Sequence, residues 1–362
     1  MVFILGEQWN SSQHHLSHHR SSSRNHFSTT ISSETEWPEA SGKMRSSANS
    51  DSATNSTLGS SNRKSNIRNS IDNDLTQLNF SCAKYCGRAQ EIGVLQDGYQ
   101  RAATQSSFVK MMVRGYSGTG KSSLVQQLAT SECAESGLFA SGKFDRNRNT
   151  KPYSALSDAL ADLCTVILEH EDKVFVNRIQ DAAQQAVGSE ISNILEVVPQ
   201  ARVLLLDYDP DEDSIDRSLS SIPETLGKQE ALNQLKYAFR SFLKAICTNE
   251  HPVVLLLDDL QWIDAASLDL LSALWTDKTI QNLLFVGAYR DNEVDDVHPL
   301  NLRLNSWKEE YNLEIGDIYI GNLAPQAIQE WIADLLKREE EEVKDLAELM
   351  TKRTHGNAFF VK

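Results

Sequence analysis

The nine residues "GYSGTGKSS", 115 to 123, constrain this chain more than any other stretch. A short apolar run, "FVKMMVRG" (108 to 115), precedes them, and "KSSLVQQLAT" follows, with Leu124, Val125 and Leu128 on one helical face. A strand, a glycine-rich turn and a helix in succession fit G-x-x-x-x-G-K-[ST] at Gly115, Gly120, Lys121 and Ser122. Gly115, Gly118 and Gly120 let the backbone turn with its amides inward, so that N–H groups and the positive helix end surround phosphates. Lys121 adds a point charge at the β and γ phosphates, and the Ser122 hydroxyl suits magnesium.

A second stretch, "LLLDDLQWID" (255 to 264), puts two carboxylates directly after an apolar run. In P-loop NTPases a carboxylate at the end of a neighbouring strand holds Mg²⁺, usually through water, because magnesium takes few protein ligands. Asp258 stands where that residue is expected. Asp259 is the candidate to accept the proton of an attacking water and orient it. The pair thus reads as the exposed lip of a strand, its repulsion relieved by metal and water. Helix capping does not need both, because Asp264 is better placed as the N-cap of "AASLDLL". Trp262 reads as a packing residue. Arg290, after "LLFVGAY", is expected at the carboxyl end of an adjacent strand, where open α/β sheets bind ligands. It either senses the γ-phosphate or pairs with Asp291 or Glu293.

The surrounding pattern is that of an α/β domain with a mostly parallel sheet. "GLFASGKF" (137 to 144) reads as a further strand. "PVVLLLDD" and "NLLFVGAYRD" are too uniformly apolar for one-sided strands and suit a sheet covered on both faces. "YSALSDALADLCTVILEH", residues 226 to 247 and "AASLDLLSALW" read as helices, and two more close the chain at about 325 to 337 and 342 to 353. The expected architecture is a three-layer P-loop NTPase with a helical insertion between the two motifs and the start of a C-terminal helical lid.

Composition narrows the class. Of 362 residues, 35 are Lys or Arg and 50 are Asp or Glu, so the net charge of -15 repels nucleic acid and anionic membrane. The five cysteines lack metal-ligand spacing and read as reduced thiols. No run approaches the roughly 18 to 20 apolar residues that span a bilayer, and a cytoplasmic protein is expected. Residues 1 to 79 are rich in Ser, Asn and His and read as a disordered tail, in which His14, His15, His18 and His19 are a compositional accident rather than a metal site. The acidic loop from Asp207 lacks the glycine and the terminal glutamate of a calcium loop.

With these residues in hand, the chain resembles the STAND-type, AAA-related (Orc1-like) P-loop ATPases, in particular the ATPase module of large signalling proteins that also carry kinase or cyclase domains. The resemblance covers about 86 to 362, through "CGRAQEI", "GYSGTGKSSLV", "GKFDRNRNTKPYSALSDAL", "LLLDDLQWIDAASLDLL", "GAYRDNEVDDVHPL" and "GNAFFVK". It implies ATP as ligand with Mg²⁺, and Gly115 to Ser123 as Walker A, including Tyr116, Ser117, Gly118 and Thr119. It also implies Asp258 with Asp259 as Walker B, Arg88 near the adenine edge and Arg290 at a sensor position. Where the family has Gly-Asn-Pro, this chain has Gly356, Asn357 and Ala358, which loses a rigid turn. Family members continue into helical and winged-helix segments, so the chain reads as a fragment, a shortened product or a free-standing module.

The expected organisation is a tail to 79, an ATPase domain over 80 to 322 and the start of a helical subdomain over 323 to 362. The expected function is an ATP-binding, slowly hydrolysing switch in which Lys121, Asp259 and Arg290 act in catalysis and Ser122 with Asp258 holds the metal. ATP and ADP are the expected partners, with protein contacts or oligomerisation through the lid. Neither membrane nor nucleic acid is expected. The alternatives are a non-hydrolysing scaffold, an inactive fragment, an origin-recognition-like protein acting on DNA, and a small-molecule kinase for which no second-substrate motif is present.

Overall fold

The structure, a computed structural model, describes residues 85–131, 137–146, 152–206 and 228–361. The expected tail, its histidines and the acidic loop from Asp207 lie outside the described residues. In chain order the elements are α1 (Ala89–Thr104), β1 (Phe108–Arg114), α2 (Lys121–Thr130), β2 (Leu138–Lys143), α3 (Ser154–Glu169), α4 (Lys173–Val187), α5 (Ile191–Val197) and α6 (Arg202–Leu205). They continue with α7 (Lys228–Ile246), β3 (Val253–Asp258), α8 (Ala265–Trp275), β4 (Leu283–Tyr289), α9 (Pro299–Glu309), β5 (Gly316–Tyr319), α10 (Pro325–Leu336), α11 (Glu340–Thr354) and α12 (Ala358–Val361).

The strands form one parallel sheet in the order β2-β3-β4-β1-β5. Successive side chains of a strand point to opposite faces, and here both faces are dry. Val109, Met111 and Val113 of β1 join Val254 and Leu256 of β3 in a core closed by Leu95 and Tyr99 of α1 and Leu124 and Leu128 of α2. Met112 of β1 and Val253, Leu255 and Leu257 of β3 face the other way, into a larger core with α3, α4, α7, α8 and α9. This is the three-layer α/β architecture of P-loop NTPases, and α4 to α7 supply the helical insertion between the two motifs.

Strand order corrects one expectation. The strand that carries Asp258 is not the neighbour of the strand that leads into the glycine turn, because β4 lies between them and pairs with both. A parallel crossover can skip a position, and nothing local in the apolar runs encodes which position is skipped.

Some helix starts are fixed by side-chain caps. Asp172 accepts from the backbone N–H groups of Val174 and Phe175 at the head of α4, and Asp264 accepts from that of Ser267 at the head of α8, as expected. The C-terminal helices have a core of their own, built on Ile328, Ile332, Val343, Ala347 and Val361. Cys164 and Cys247 are free and buried, and burial pushes both thiols up to about 12, where they are inert. Among the described residues no helix is long and apolar enough to cross a membrane.

Candidate nucleotide site

At the carboxyl ends of β1, β3 and β4, the turn, the carboxylate pair and the C-terminal helices border a cavity of about 1090 Å³. That is the size of a large small-molecule pocket, for which roughly 300–1,000 Å³ is usual. Of the sequence-predicted residues, Arg88, Ser117, Gly118, Thr119, Gly120, Lys121, Ser122, Ser123, Asp258, Asp259 and Arg290 all line it. Gly115 and Tyr116 do not, and contribute carbonyls instead.

The turn is built for an anion. Gly120 is the N-cap of α2 in the left-handed region (φ 95°) and provides no side-chain cap. No acidic residue stands in the first turn of α2, so its first N–H groups and positive end remain available to phosphate. Lys121 Nζ donates to the carbonyls of Gly115 at 2.9 Å and Tyr116 at 2.8 Å. Burial lowers its pKa, and the charges of Asp258 and Asp259 pull partly back.

Ser122 Oγ donates to Asp258 Oδ2 at 2.6 Å, and Asp258 Oδ1 accepts from the backbone N–H of Asp259 at 2.9 Å. A hydroxyl and a carboxylate oxygen thus meet beside the phosphate cradle. This sparse oxygen set fits magnesium, which keeps several waters. Among the described residues no group of three His, Cys, Asp or Glu could hold a metal by itself.

The carboxylate pair is not an exposed lip. Asp259 is only 4% accessible, in a left-handed backbone conformation (φ 56°). The repulsion is relieved by the protein's own groups: Lys143 Nζ lies 2.8 Å from Asp259 Oδ2 and 3.8 Å from Asp258 Oδ2. On the other oxygen, Gln261 Nε2 donates to Asp259 Oδ1 at 2.8 Å and Arg290 Nε approaches it at 3.6 Å. Burial alone would raise the Asp259 pKa, but the bonds from Lys143 and Gln261 hold it below the usual carboxylate range.

Arg290 divides its guanidinium between Asp259 and Glu293, the latter at 2.7 Å, and lies over the Trp262 ring at 5.0 Å from the centroid. Trp262 packs against the larger core, as expected, and also holds the arginine. Arg88 is buried. Its guanidinium reaches the carbonyls of Gly321 and Thr119 and the carboxylate of Glu91, which ties the end of β5 to the turn.

Sequence reasoning missed five participants. Lys143 is placed by register, since β2 pairs with β3 so that Lys143 stands opposite Asp258. Gln261 links Asp259 to the backbone N–H of Arg290, which donates to its Oε1 at 3.1 Å. Tyr85 OH donates to the Gly120 carbonyl at 3.1 Å. Asn357 Nδ2 donates to the Ser117 carbonyl at 2.9 Å, and the Phe359 N–H to the Gly118 carbonyl at 2.9 Å. Gly118 is required here: its φ is 79°, and a Cβ would lie 2.5 Å from Asn357 Oδ1. The quoted "GNAFFVK" was the available signal for Asn357 and Phe359, and Lys143 and Gln261 lie within "GKFDRNRNTKPYSALSDAL" and "LLLDDLQWIDAASLDLL", but nothing local gives their partners; Tyr85 lies outside the quoted stretches.

The family model described as AAA ATPase domain matches residues 84–286, more than half of the chain. This chain belongs to the AAA ATPase domain family. Over 325 residues, this AAA domain is 24% identical to the hybrid signal transduction histidine kinase G of Dictyostelium discoideum, a match that covers 69% of this chain but only 8% of that protein. Among solved structures it is similar to Cdc6p from Pyrobaculum aerophilum, with a TM-score of 0.43, 13% identity, and coverage of 78% of this chain and 62% of that one. It is also similar to the Aeropyrum pernix Orc1 protein in complex with DNA, with a TM-score of 0.40, 15% identity, and coverage of 79% and 60%. Drosophila ORC bound to DNA matches with a TM-score of 0.44, 15% identity, and coverage of 86% and 62%. The family membership makes this a nucleotide-binding ATPase module.

Proposed function

We infer that this AAA domain is an Mg²⁺-dependent, slowly hydrolysing ATP switch of the STAND type that works in intracellular signal transduction. The observation that carries the reading is the grip of Asn357 and Phe359 on the turn that would hold the phosphates. A lid over 323–362 that bonds to the phosphate loop itself reports on what the loop contains. The name of the Dictyostelium relative supports the signalling context. The net charge of -15 favours a protein partner over nucleic acid, and the exposed Phe359 and Phe360 of the lid offer it an apolar contact.

In the proposed reaction, a water oxygen bonds to the γ-phosphorus while the bond from that phosphorus to the β–γ bridging oxygen breaks, and ADP departs with the electron pair. Asp259 orients the water and takes its proton. Lys121 and Arg290 neutralise charge on the transferring group. Ser122 and Asp258 would hold magnesium, which neutralises phosphate charge when bound.

The test measures ATP binding and phosphate release by the purified chain, with and without magnesium. Lys121→Ala should abolish binding, and Asp259→Asn should keep binding and lose turnover. Equal phosphate release by wild type and Asp259→Asn would sink the mechanism, and binding without turnover would leave a scaffold. Steeply salt-dependent DNA affinity would replace the switch reading with a DNA-associated one.

A further inference from the structure

Among the described cations that line the cavity, Arg88, Lys121, Lys143 and Arg290, Lys143 was given no role by the sequence, and its geometry differs from that of the others. Arg88 is tied to Glu91 and to the carbonyls of Thr119 and Gly321. Lys121 is bonded to two carbonyls of its own loop. Arg290 is fixed by Glu293 and by the face of Trp262. Lys143 stands at the last position of β2, its side chain is 63% accessible, and the partners recorded for its ammonium are Asp259 and Asp258. It borders the same cavity as Lys121, Ser122 and Arg290.

An ammonium on a four-carbon stem is a compact charge that can be re-aimed without moving backbone. Asp259 keeps the Gln261 amide and the Arg290 guanidinium if Lys143 leaves, so departure does not strand a buried charge. The terminal group of a nucleoside triphosphate carries more negative charge than one carboxylate, so it competes for the ammonium. A diphosphate ends one group short of that position.

We propose that Lys143 is a mobile third cation that moves from Asp259 to the terminal phosphoryl of a bound nucleoside triphosphate, and thereby both discriminates tri- from diphosphate and releases Asp259 to orient water. This rests on the nucleotide reading above and adds a residue and a gating step to it. The transfer is a non-covalent exchange of partners. Hydrolysis would reverse it, because departing inorganic phosphate returns the ammonium to the carboxylates.

The experiment titrates the full chain with magnesium and either ADP or a non-hydrolysable ATP analogue by calorimetry. The variants are wild type, Lys143→Met, Lys143→Arg, Asp259→Asn and the Lys143→Met/Asp259→Asn double variant, each checked for thermal unfolding. The expected result is that Lys143→Met weakens the triphosphate about tenfold, leaves ADP within twofold, and is largely rescued by Lys143→Arg. The Asp259→Asn background separates direct contact from mere exposure of a repelling carboxylate. The triphosphate-selective loss should persist there if Lys143 contacts the phosphoryl. Its disappearance in that background, equal weakening of both nucleotides, or no weakening of either overturns the proposal. A wild-type chain that binds neither nucleotide overturns the nucleotide reading itself.

Discussion

Ser122 Oγ and Asp258 Oδ2 are joined by a 2.6 Å hydrogen bond although β4 separates the strands that precede them. The glycine turn and the head of α2, where Ser122 is the second residue, reach past β4 and bring the hydroxyl to the end of β3. Two motifs distant in sequence therefore meet through one hydrogen bond, at the rim of the candidate phosphate cradle.

Removing either oxygen should uncouple nucleotide from metal. Ser122→Ala and Asp258→Asn are expected to lower magnesium-dependent nucleotide affinity roughly 10- to 100-fold, leaving affinity without magnesium near that of wild type. Calorimetry with and without the metal checks this. A loss of equal size in both conditions would place these residues in phosphate binding alone.

Trp262 should matter through Arg290. The ring–guanidinium contact is worth about 0.5–2 kcal/mol, so Trp262→Ala should slow phosphate release several-fold while ADP affinity stays. Trp262→Tyr, which keeps an aromatic face, should restore most of the rate. Single-turnover kinetics beside ADP titration would read the split.

The Asn357 contact should govern how firmly the C-terminal helices sit on the loop. Asn357→Ala removes the bond to Ser117, worth about 0.5–1.5 kcal/mol, and the one its Oδ1 accepts from the Phe359 N–H at 3.1 Å, and limited proteolysis after Leu323 should accelerate by a few-fold. Gly118→Ala should do more, since its Cβ strikes the asparagine in a backbone region unfavourable to alanine. Unchanged cleavage in both variants would show the helices to be held by their apolar contacts only.

Lys110 makes a prediction about pH. It is 9% accessible, and burial lowers its pKa from 10.5 to about 8. The hydrogen bond to the Phe108 carbonyl and the Phe108 ring 3.8 Å below offset part of that burial. Between about pH 8 and 10.5 the unfolded chain binds the extra proton, so stability contributed by this group rises with pH across that window. Lys110→Met should remove that rise and stabilise the fold at pH 7 by roughly 1–3 kcal/mol. Urea unfolding at pH 7 and pH 9.5 checks both statements.

What could be read from the letters was whatever a short window encodes. The glycine turn, the apolar runs of β1, β3 and β4, and the Asp264 cap depend on residues within a few positions of one another, and each stands where it was expected. The place of β4 in the sheet, the register that sets Lys143 against Asp258, and the reach of Asn357 to Ser117 are properties of the assembled sheet. The sequence reading therefore brought a metal and water in to relieve two carboxylates, when a lysine from another strand relieves them in part. Trp262 was half legible: its bulk announced packing, and its partner Arg290 could be known only from the fold.

The outer side of the glycine turn has one more consequence. Ser117 O and Gly118 O, which accept from Asn357 and Phe359, are the far ends of the peptide units whose near ends are the N–H groups of Gly118 and Thr119. A peptide unit is polarisable along its length, and bonds made at its two ends reinforce each other. An anion held at those N–H groups makes the opposite oxygens stronger acceptors, so filling the cradle tightens the clasp behind it without any atom of the turn having to travel.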